Sequence, residues 1–255
     1  MMKALRENDG LSGEAYLIVR ERILRGELSI GEVISRRKLA SELGMSLLPV
    51  SEAMLRLEHE GLLESRPRAG TRVRVPTPQD VRGHYIVREA LEVQAAKLFA
   101  EIAAPEERAE LLKLAARVDT LGAQADGSWL HYLSLHEKLH RRIAECARCP
   151  ALTDAIEKTH ALDSTWRCAA RSLSTAQPLR RHRELIEALS QGDPAIAGEA
   201  MRQHIQAALG NALIRLKPYF QMSKQIGEKY TRSPKKRVQI NPAEIQMSAA
   251  QAVPA

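Results

Sequence analysis

The stretch Arg66-Pro67-Arg68-Ala69-Gly70-Thr71-Arg72-Val73-Arg74-Val75 is the only convincing period-two alternation in the chain, and it follows three short helical patterns. From Ser12 to Gly26 the apolar residues Ala15, Ile18, Val19 and Ile23 recur at helical spacing, and Gly26 stops the run. After a turn at Ser29-Ile30-Gly31, Ser35 is placed to cap a second helix with Leu39, Ala40 and Leu43 on its apolar face, closed by Gly44. Ser46 is placed to cap a third helix, with Pro49 in the first turn and Val50, Ala53, Met54 and Leu57 on one stripe up to Gly61. Two short strands around Ala69-Gly70 complete the series. Three helices followed by a small hairpin is the order of a winged helix-turn-helix.

Pro76-Thr77-Pro78 interrupts regular structure and reads as a linker. Beyond it the spacing is helical throughout. Val87, Leu91, Ala95, Leu98 and Ile102 form one stripe, and Leu111, Leu114, Ala115, Val118 and Leu121 the next. Further helical patterns cover 128–147, 150–172, 176–190 and 194–217, with Pro105, Pro150, Pro178 and Pro194 at expected helix starts. Six helices with short connections make a helical bundle. The chain is therefore expected to be mainly α. A winged helix-turn-helix over 12–75, a linker over 76–79 and an all-α bundle over 80–218 precede a basic, disordered tail over 219–255.

Composition narrows the function classes. Hydrophobic residues make up 44% and charged residues 27%, a balance suited to burying a core. No apolar run reaches the roughly eighteen residues of a membrane span, and the first residues hold no signal-peptide core. Three cysteines argue against a disulfide framework, which points to a reducing cytoplasm. The net charge of +7 is unevenly spread: residues 1–75 hold 13 Lys/Arg against 11 Asp/Glu, residues 76–218 hold 19 against 18, and residues 219–255 hold 6 against 2. Most of the excess lies around Lys235-Lys236-Arg237, a solvated run. Overall basicity is thus weak support for nucleic-acid binding, and local patterning has to carry it.

Arg20-Glu21-Arg22-Ile23-Leu24-Arg25-Gly26-Glu27-Leu28, Gly31-Glu32, Ser35-Arg36-Arg37-Lys38-Leu39-Ala40, Leu43-Gly44-Met45-Ser46, Pro49-Val50, Glu52-Ala53 and Leu57-Glu58-His59-Glu60-Gly61-Leu62-Leu63 together resemble the GntR family of bacterial transcription regulators. The following helices resemble the FadR-like subfamily, whose helical effector-binding (FCD) domain follows the winged helix. The resemblance implies a homodimer that reads a double-stranded operator and answers to a small organic acid. Repression relieved by the metabolite is the family's default.

Physically, the third helix would offer its N-terminal residues to bases and phosphates, with the second helix bracing the backbone. A wing holding Arg66, Arg68, Arg72 and Arg74 without an acid among them could follow phosphate or enter the minor groove, or simply protect a solvated edge. The family's usual Arg and Thr after the capping Ser, and its Arg after Pro-Val, are replaced here by Leu47, Leu48 and Ser51. Leucines can touch thymine methyls but discriminate less than a bidentate pair. Arg37, Ser46, Leu47, Leu48, Ser51, Arg68 and Gly70 are the candidate DNA-facing residues.

His136 and His140 stand four apart and share one helix face, while His182 and His204 lie on later helices. Singly, each suits a surface or a cap. The resemblance places His140, His182 and His204 on three histidine ligands of a metal site, and His136 on a position usually held by Asp. Four neutral imidazoles suit a divalent transition metal, Zn first and Ni second. Loss of the carboxylate should lower affinity for hard ions such as Mn. The resemblance also places Arg88 at the effector; the alternative is an exposed Arg88 paired with Glu92 at i+4.

Other clusters carry less. A single Cys146-Ala147-Arg148-Cys149 lacks the second pair of a zinc ribbon and reads as packing. Trp129 and Trp166 suit the bundle core or a pocket wall, and His84, His131 and His160 have no assigned role. The competing classes are a metal-dependent enzyme, for which Glu137 is the only neighbouring base, and a protein-interaction scaffold. The missing recognition arginines keep the scaffold alternative open.

Overall fold

The computed structural model describes residues 10–67, 69–123, 129–171 and 181–223 of the 255. Helix α1 (Gly10–Leu24) buries Ala15, Tyr16, Val19 and Ile23, one stripe at i, i+4 and i+8 with Tyr16 beside it. The stripe lies against α3 (Leu47–His59), which turns Val50, Ala53, Met54 and Leu57 inward. Between them, α2 (Arg36–Leu43) starts on a Ser35 hydroxyl that accepts from the Lys38 amide at 3.3 Å. It stops at Gly44, whose φ of +63° is the left-handed conformation that glycine adopts without strain.

The wing carries a third strand absent from the alternation pattern. Strand β1 (Val33–Ile34) pairs antiparallel with β3 (Gly70–Val73), which in turn pairs with β2 (Leu63–Arg66), giving the order β1-β3-β2. Two residues are too few to display a period, and the pairing is non-local, so the sequence offers no sign of β1. Making β3 central has a consequence for the arginines. Arg72 is buried, and its Nε donates to the cross-strand Glu64 at 2.6 Å, while Arg66 Nη2 lies 3.3 Å from the same carboxylate. Arg74 Nη2 donates to Asp80 at 2.6 Å. Arg66, Arg72 and Arg74 therefore do have acids, supplied from β2 and from the following helix.

Helix α4 (Pro78–Ile102) begins inside the stretch read as a linker. Thr77 and Asp80 form a reciprocal capping box: the Asp80 amide donates to Thr77 Oγ1 at 3.1 Å, and the Thr77 amide donates to Asp80 Oδ2 at 2.9 Å. Helices α5 (Pro105–Ala123), α6 (Trp129–Cys146), α7 (Pro150–Arg171), α8 (His182–Leu189) and α9 (Pro194–Arg215) follow. Pro105, Pro150 and Pro194 each open a helix, as expected; Pro178 lies outside the described residues.

In the bundle, α4 and α9 form the longest contact and run antiparallel, with Glu89 meeting Arg202 and Gln206, and Lys97 lying beside Gly198. Tyr85, Phe99, Leu111, Val118, Leu139, Ile143, Ile186 and Ile205 fill the interior. Cys146 and Trp166 are part of that core, and Trp129 packs on its edge. Residues 217–223 continue as helix, and Tyr219 and Phe220 pack against the core, so the disorder expected from 219 does not hold there. The rest of the expected tail, 224–255, lies outside the described residues. The winged helix meets the bundle where α1 touches α7 and where Arg20 lies 3.9 Å from Glu137 of α6.

Candidate functional site

Four buried imidazoles converge in the bundle. His136 and His140 project from successive turns of α6, His182 opens α8, and His204 sits midway along α9. Ring centroids are 4.6 Å apart for His136 and His140, 5.0 Å for His136 and His182, 5.1 Å for His182 and His204, and 5.4 Å for His140 and His204. Each ring offers a nitrogen, and the four nitrogens lie within 4.8 Å of one another.

Two carboxylates set which nitrogen faces the centre. His140 Nδ1 lies 2.6 Å from Glu92 Oε2 of α4, and His182 Nδ1 lies 2.7 Å from Asp119 Oδ1 of α5. An ionised carboxylate only accepts, so in each neutral ring Nδ1 carries the proton and Nε2 keeps its lone pair. Both Nε2 atoms are buried and have no hydrogen-bond partner among the described residues. Asp119 also receives the amides of His182 at 3.2 Å and Arg183 at 3.0 Å, so one side chain caps α8 and orients its first residue. Burial pushes His136, His182 and His204 below the usual histidine range, and their neighbouring imidazoles add to this. Inward lone pairs, outward protons held by carboxylates and a dry surround are what an imidazole-bound transition metal requires. The cluster can therefore hold such an ion.

Behind the imidazoles lies a buried charge network. Arg88 is fully buried; its Nε donates to Glu92 Oε1 at 2.8 Å, and its Nη1 lies 3.2 Å from Asp163 Oδ1. The pairing with Glu92 holds, but Arg88 is not exposed. Its charge is matched by two carboxylates, although neither Nη atom makes a hydrogen bond. Asp163 further accepts from Tyr85 at 2.7 Å and from Arg167 at 2.5 Å. Burial alone would raise Glu92 and Asp163; Arg88 and His140 hold the first, and Arg167 and Arg88 the second, well below the usual carboxylate range. His160, unassigned from sequence, has Nε2 3.7 Å from Glu92. Asp119, Tyr85, Asp163 and Arg167 were not among the candidates. The i, i+4 spacings of Arg88 with Glu92 and of Asp163 with Arg167 were the available signals.

On the winged helix, Leu47 and Leu48 stand 47% and 68% exposed in the first turn of α3. Ser46 occupies the N-cap position but makes no capping bond, which leaves its exposed hydroxyl for an outside partner. Ser51 turns its hydroxyl back to donate to the Leu47 carbonyl at 2.8 Å. Arg37 is exposed and pairs with no described residue. Gly70 opens β3 at a φ of +77°, so its part is conformational. Arg68 lies outside the described residues.

Residues 11–73 match bacterial regulatory proteins of the gntR family, and residues 84–207 match the FCD domain. The chain belongs to the GntR family. It is 30% identical over 199 residues to an uncharacterized HTH-type transcriptional regulator in an unstable DNA locus of Streptomyces ambofaciens, covering 76% of this chain and 81% of the relative. It is also 30% identical over 192 residues to a probable D-xylose utilization operon transcriptional repressor of Paenarthrobacter nicotinovorans, covering 73% and 82%. Among solved structures, E. coli McbR/YncC superposes with a TM-score of 0.63 at 22% identity, over 81% of this chain and 98% of that one. This GntR-family chain is thus a DNA-binding transcriptional regulator, and the enzyme alternative falls with that membership. Glu137, the base that alternative needed, lies 3.9 Å from Arg20 of α1. Among the described residues no helix is long and apolar enough to cross a membrane.

Proposed function

We propose that this regulator is a cytoplasmic, homodimeric repressor whose bundle binds a divalent transition metal, Zn first and Ni second, together with a small carboxylate metabolite. His136, His140, His182 and His204 hold the metal, and the metabolite loosens the operator. The observation that carries the reading is the pair of buried, unpartnered Nε2 atoms on His140 and His182, each fixed by a carboxylate on the far side of its ring. Bound there, the ion would supply a cationic centre for an acidic ligand. Arg88 can add N–H groups, but Glu92 and Asp163 already match its charge.

On the winged helix, Arg37 and Ser46 contact phosphate, Leu47, Leu48 and Ser51 face the bases, and Arg68 and Gly70 form the wing tip. Two winged helices related by the dimer axis read two half-sites. An effector can release DNA only by binding the free arrangement more tightly than the DNA-bound one. The contact of Arg20 with Glu137 links the helix that carries His136 to the DNA-binding domain, and α1 also touches α7.

The test pairs metal analysis of purified protein with fluorescence anisotropy on DNA from upstream of its own coding region and on scrambled DNA, across a salt series. About one Zn or Ni per chain is expected, with preference for the upstream DNA by ~10³-fold or more and affinity that falls steeply with salt. Protein that takes up no metal, or that binds both DNAs equally, contradicts the corresponding half of the reading.

A further inference from the structure

After α9 the chain returns to the winged helix. Tyr219 and Phe220 pack against the bundle core, and Met222 lies against the turn before β1, where a Cβ on Gly31 would stand 3.0 Å from the Met222 Sδ and 3.3 Å from Val75. Gly31 in turn donates its amide to the Val73 carbonyl of β3 at 2.9 Å. The chain therefore passes Met222 beside the sheet that carries the wing.

From that anchor the sequence runs into Lys229-Tyr230-Thr231-Arg232-Ser233-Pro234-Lys235-Lys236-Arg237, five cations in nine residues with no acid among them. Residues 238–255 hold no Lys or Arg and one acid. A tail kept for solubility needs no such block, since acidic residues serve that end better. A block of one sign is the pattern of an arm that binds nucleic acid.

The winged helix, meanwhile, is short of cations of its own. Residues 1–75 hold 13 Lys/Arg against 11 Asp/Glu. Arg66 and Arg72 pair with Glu64, and Arg74 pairs with Asp80. Leu47 and Leu48 bring no charge to the start of α3. Much of the affinity of a protein for DNA comes from cations that neutralise phosphates and release counterions, so this domain gains from a further supply. The reach is sufficient. From Val73 back to Gly70 at the hairpin tip, β3 spans ~10 Å. From Met222 the chain can extend up to ~25 Å to Lys229 and ~50 Å to Arg237.

We propose that residues 229–237 are a basic arm that binds the phosphate backbone of double-stranded DNA, next to the segment held by the winged helix of the same chain. The proposal rests on the DNA-binding function of the winged helix and adds a second, sequence-independent contact to it. Phosphate contacts position a protein without reading bases, so the arm raises affinity for all DNA alike and leaves sequence choice to the winged helix.

The test uses full-length protein and fluorescence anisotropy across a salt series, on DNA from upstream of the coding region and on scrambled DNA. The variant carries Lys229→Gln, Arg232→Gln, Lys235→Gln, Lys236→Gln and Arg237→Gln together. Its affinity should fall ~10-fold or more on both DNAs by the same factor, and its salt slope should become shallower by about 2–4 per chain. Arg232→Lys with Arg237→Lys keeps the charge and should keep the wild-type slope. The melting temperature should equal that of wild type. A slope and affinity unchanged by the five substitutions overturn the arm. So does a loss confined to the upstream DNA, which would make the contact base-specific, or a lowered melting temperature, which would assign the segment to the fold. Vesicles with anionic headgroups serve as a second probe: vesicle binding lost in the variant with DNA binding intact would assign the block to a membrane surface and overturn the proposal. Because the slope is also read on scrambled DNA, the arm is tested even if wild type shows no preference for the upstream DNA, a result that counts against the operator reading alone.

Discussion

Glu92 Oε2 lies 2.6 Å from His140 Nδ1 while Oε1 lies 2.8 Å from Arg88 Nε, so one buried carboxylate joins the imidazole cluster to the charge network behind it. This contact fixes the tautomer that leaves His140 Nε2 facing the centre. Glu92→Gln removes the charge that favours the Nδ1 proton, whereas Arg88 keeps Asp163. Metal affinity should fall by about 10–100-fold, the usual effect of removing such a partner, with the fold retained. Chelator competition would measure it, and an unchanged affinity would show that Glu92 does not act through His140.

His136 stands where the resemblance puts a carboxylate, and its ring is packed 4.6 Å from His140 and 5.0 Å from His182. Four imidazoles favour borderline ions, and oxygen donors favour harder ones. His136→Asp should therefore shift the Mn-to-Zn affinity ratio toward Mn by at least ~10-fold, read by parallel titrations of the two ions. No shift in the ratio would place His136 outside the ligand set.

Much of the imidazole cluster was legible because its histidines lie on helices whose spacing is visible. His136 and His140 share a face by arithmetic alone, and the resemblance supplied His182 and His204. Asp119 was not legible, because its role depends on α5 meeting the start of α8, a packing event without a local signature. The same limit hid β1, two residues paired with a distant strand in the register Val33 to Arg72 and Ile34 to Thr71. It also misled on the wing. Arg72 and Arg74 look free along the sequence, but Glu64 faces one across the sheet and Asp80 reaches the other from the next helix.

Asp80 caps α4 and pairs with Arg74 at the junction of the two domains. Burial would raise its carboxyl, but the Thr77 hydroxyl and amide and the Arg74 guanidinium together hold it below the usual range. A depressed folded pKa contributes stability that is present above the unfolded carboxyl's pKa and lost as pH falls through the folded one. Asp80→Asn should therefore destabilise the protein by about 1 kcal/mol at neutral pH, the scale of a helix cap. The gap from wild type should close as the pH drops into the acidic range. Thermal melts from neutral to acidic pH would show it, and a gap that widens on acidification would contradict this account.

Leu47 and Leu48 place two exposed isobutyl groups at the start of α3, the helix proposed to enter DNA, while the Ser51 hydroxyl is bonded to its own backbone. The proposed base-facing surface of α3 is thus apolar where the resemblance puts charge. Apolar side chains read the C5 methyl of thymine, the one apolar mark in the major groove. Uracil in place of thymine removes that methyl and leaves every hydrogen-bonding edge intact. Binding to the operator should weaken by about 1–3 kcal/mol when the contacted thymines are replaced, with the salt dependence unchanged because phosphate contacts are untouched. Leu47→Ala with Leu48→Ala should lose affinity for the thymine operator and become indifferent to the replacement. Equal binding of wild type to both DNAs would mean that the leucines do not read bases and that sequence choice comes from the wing or from DNA shape.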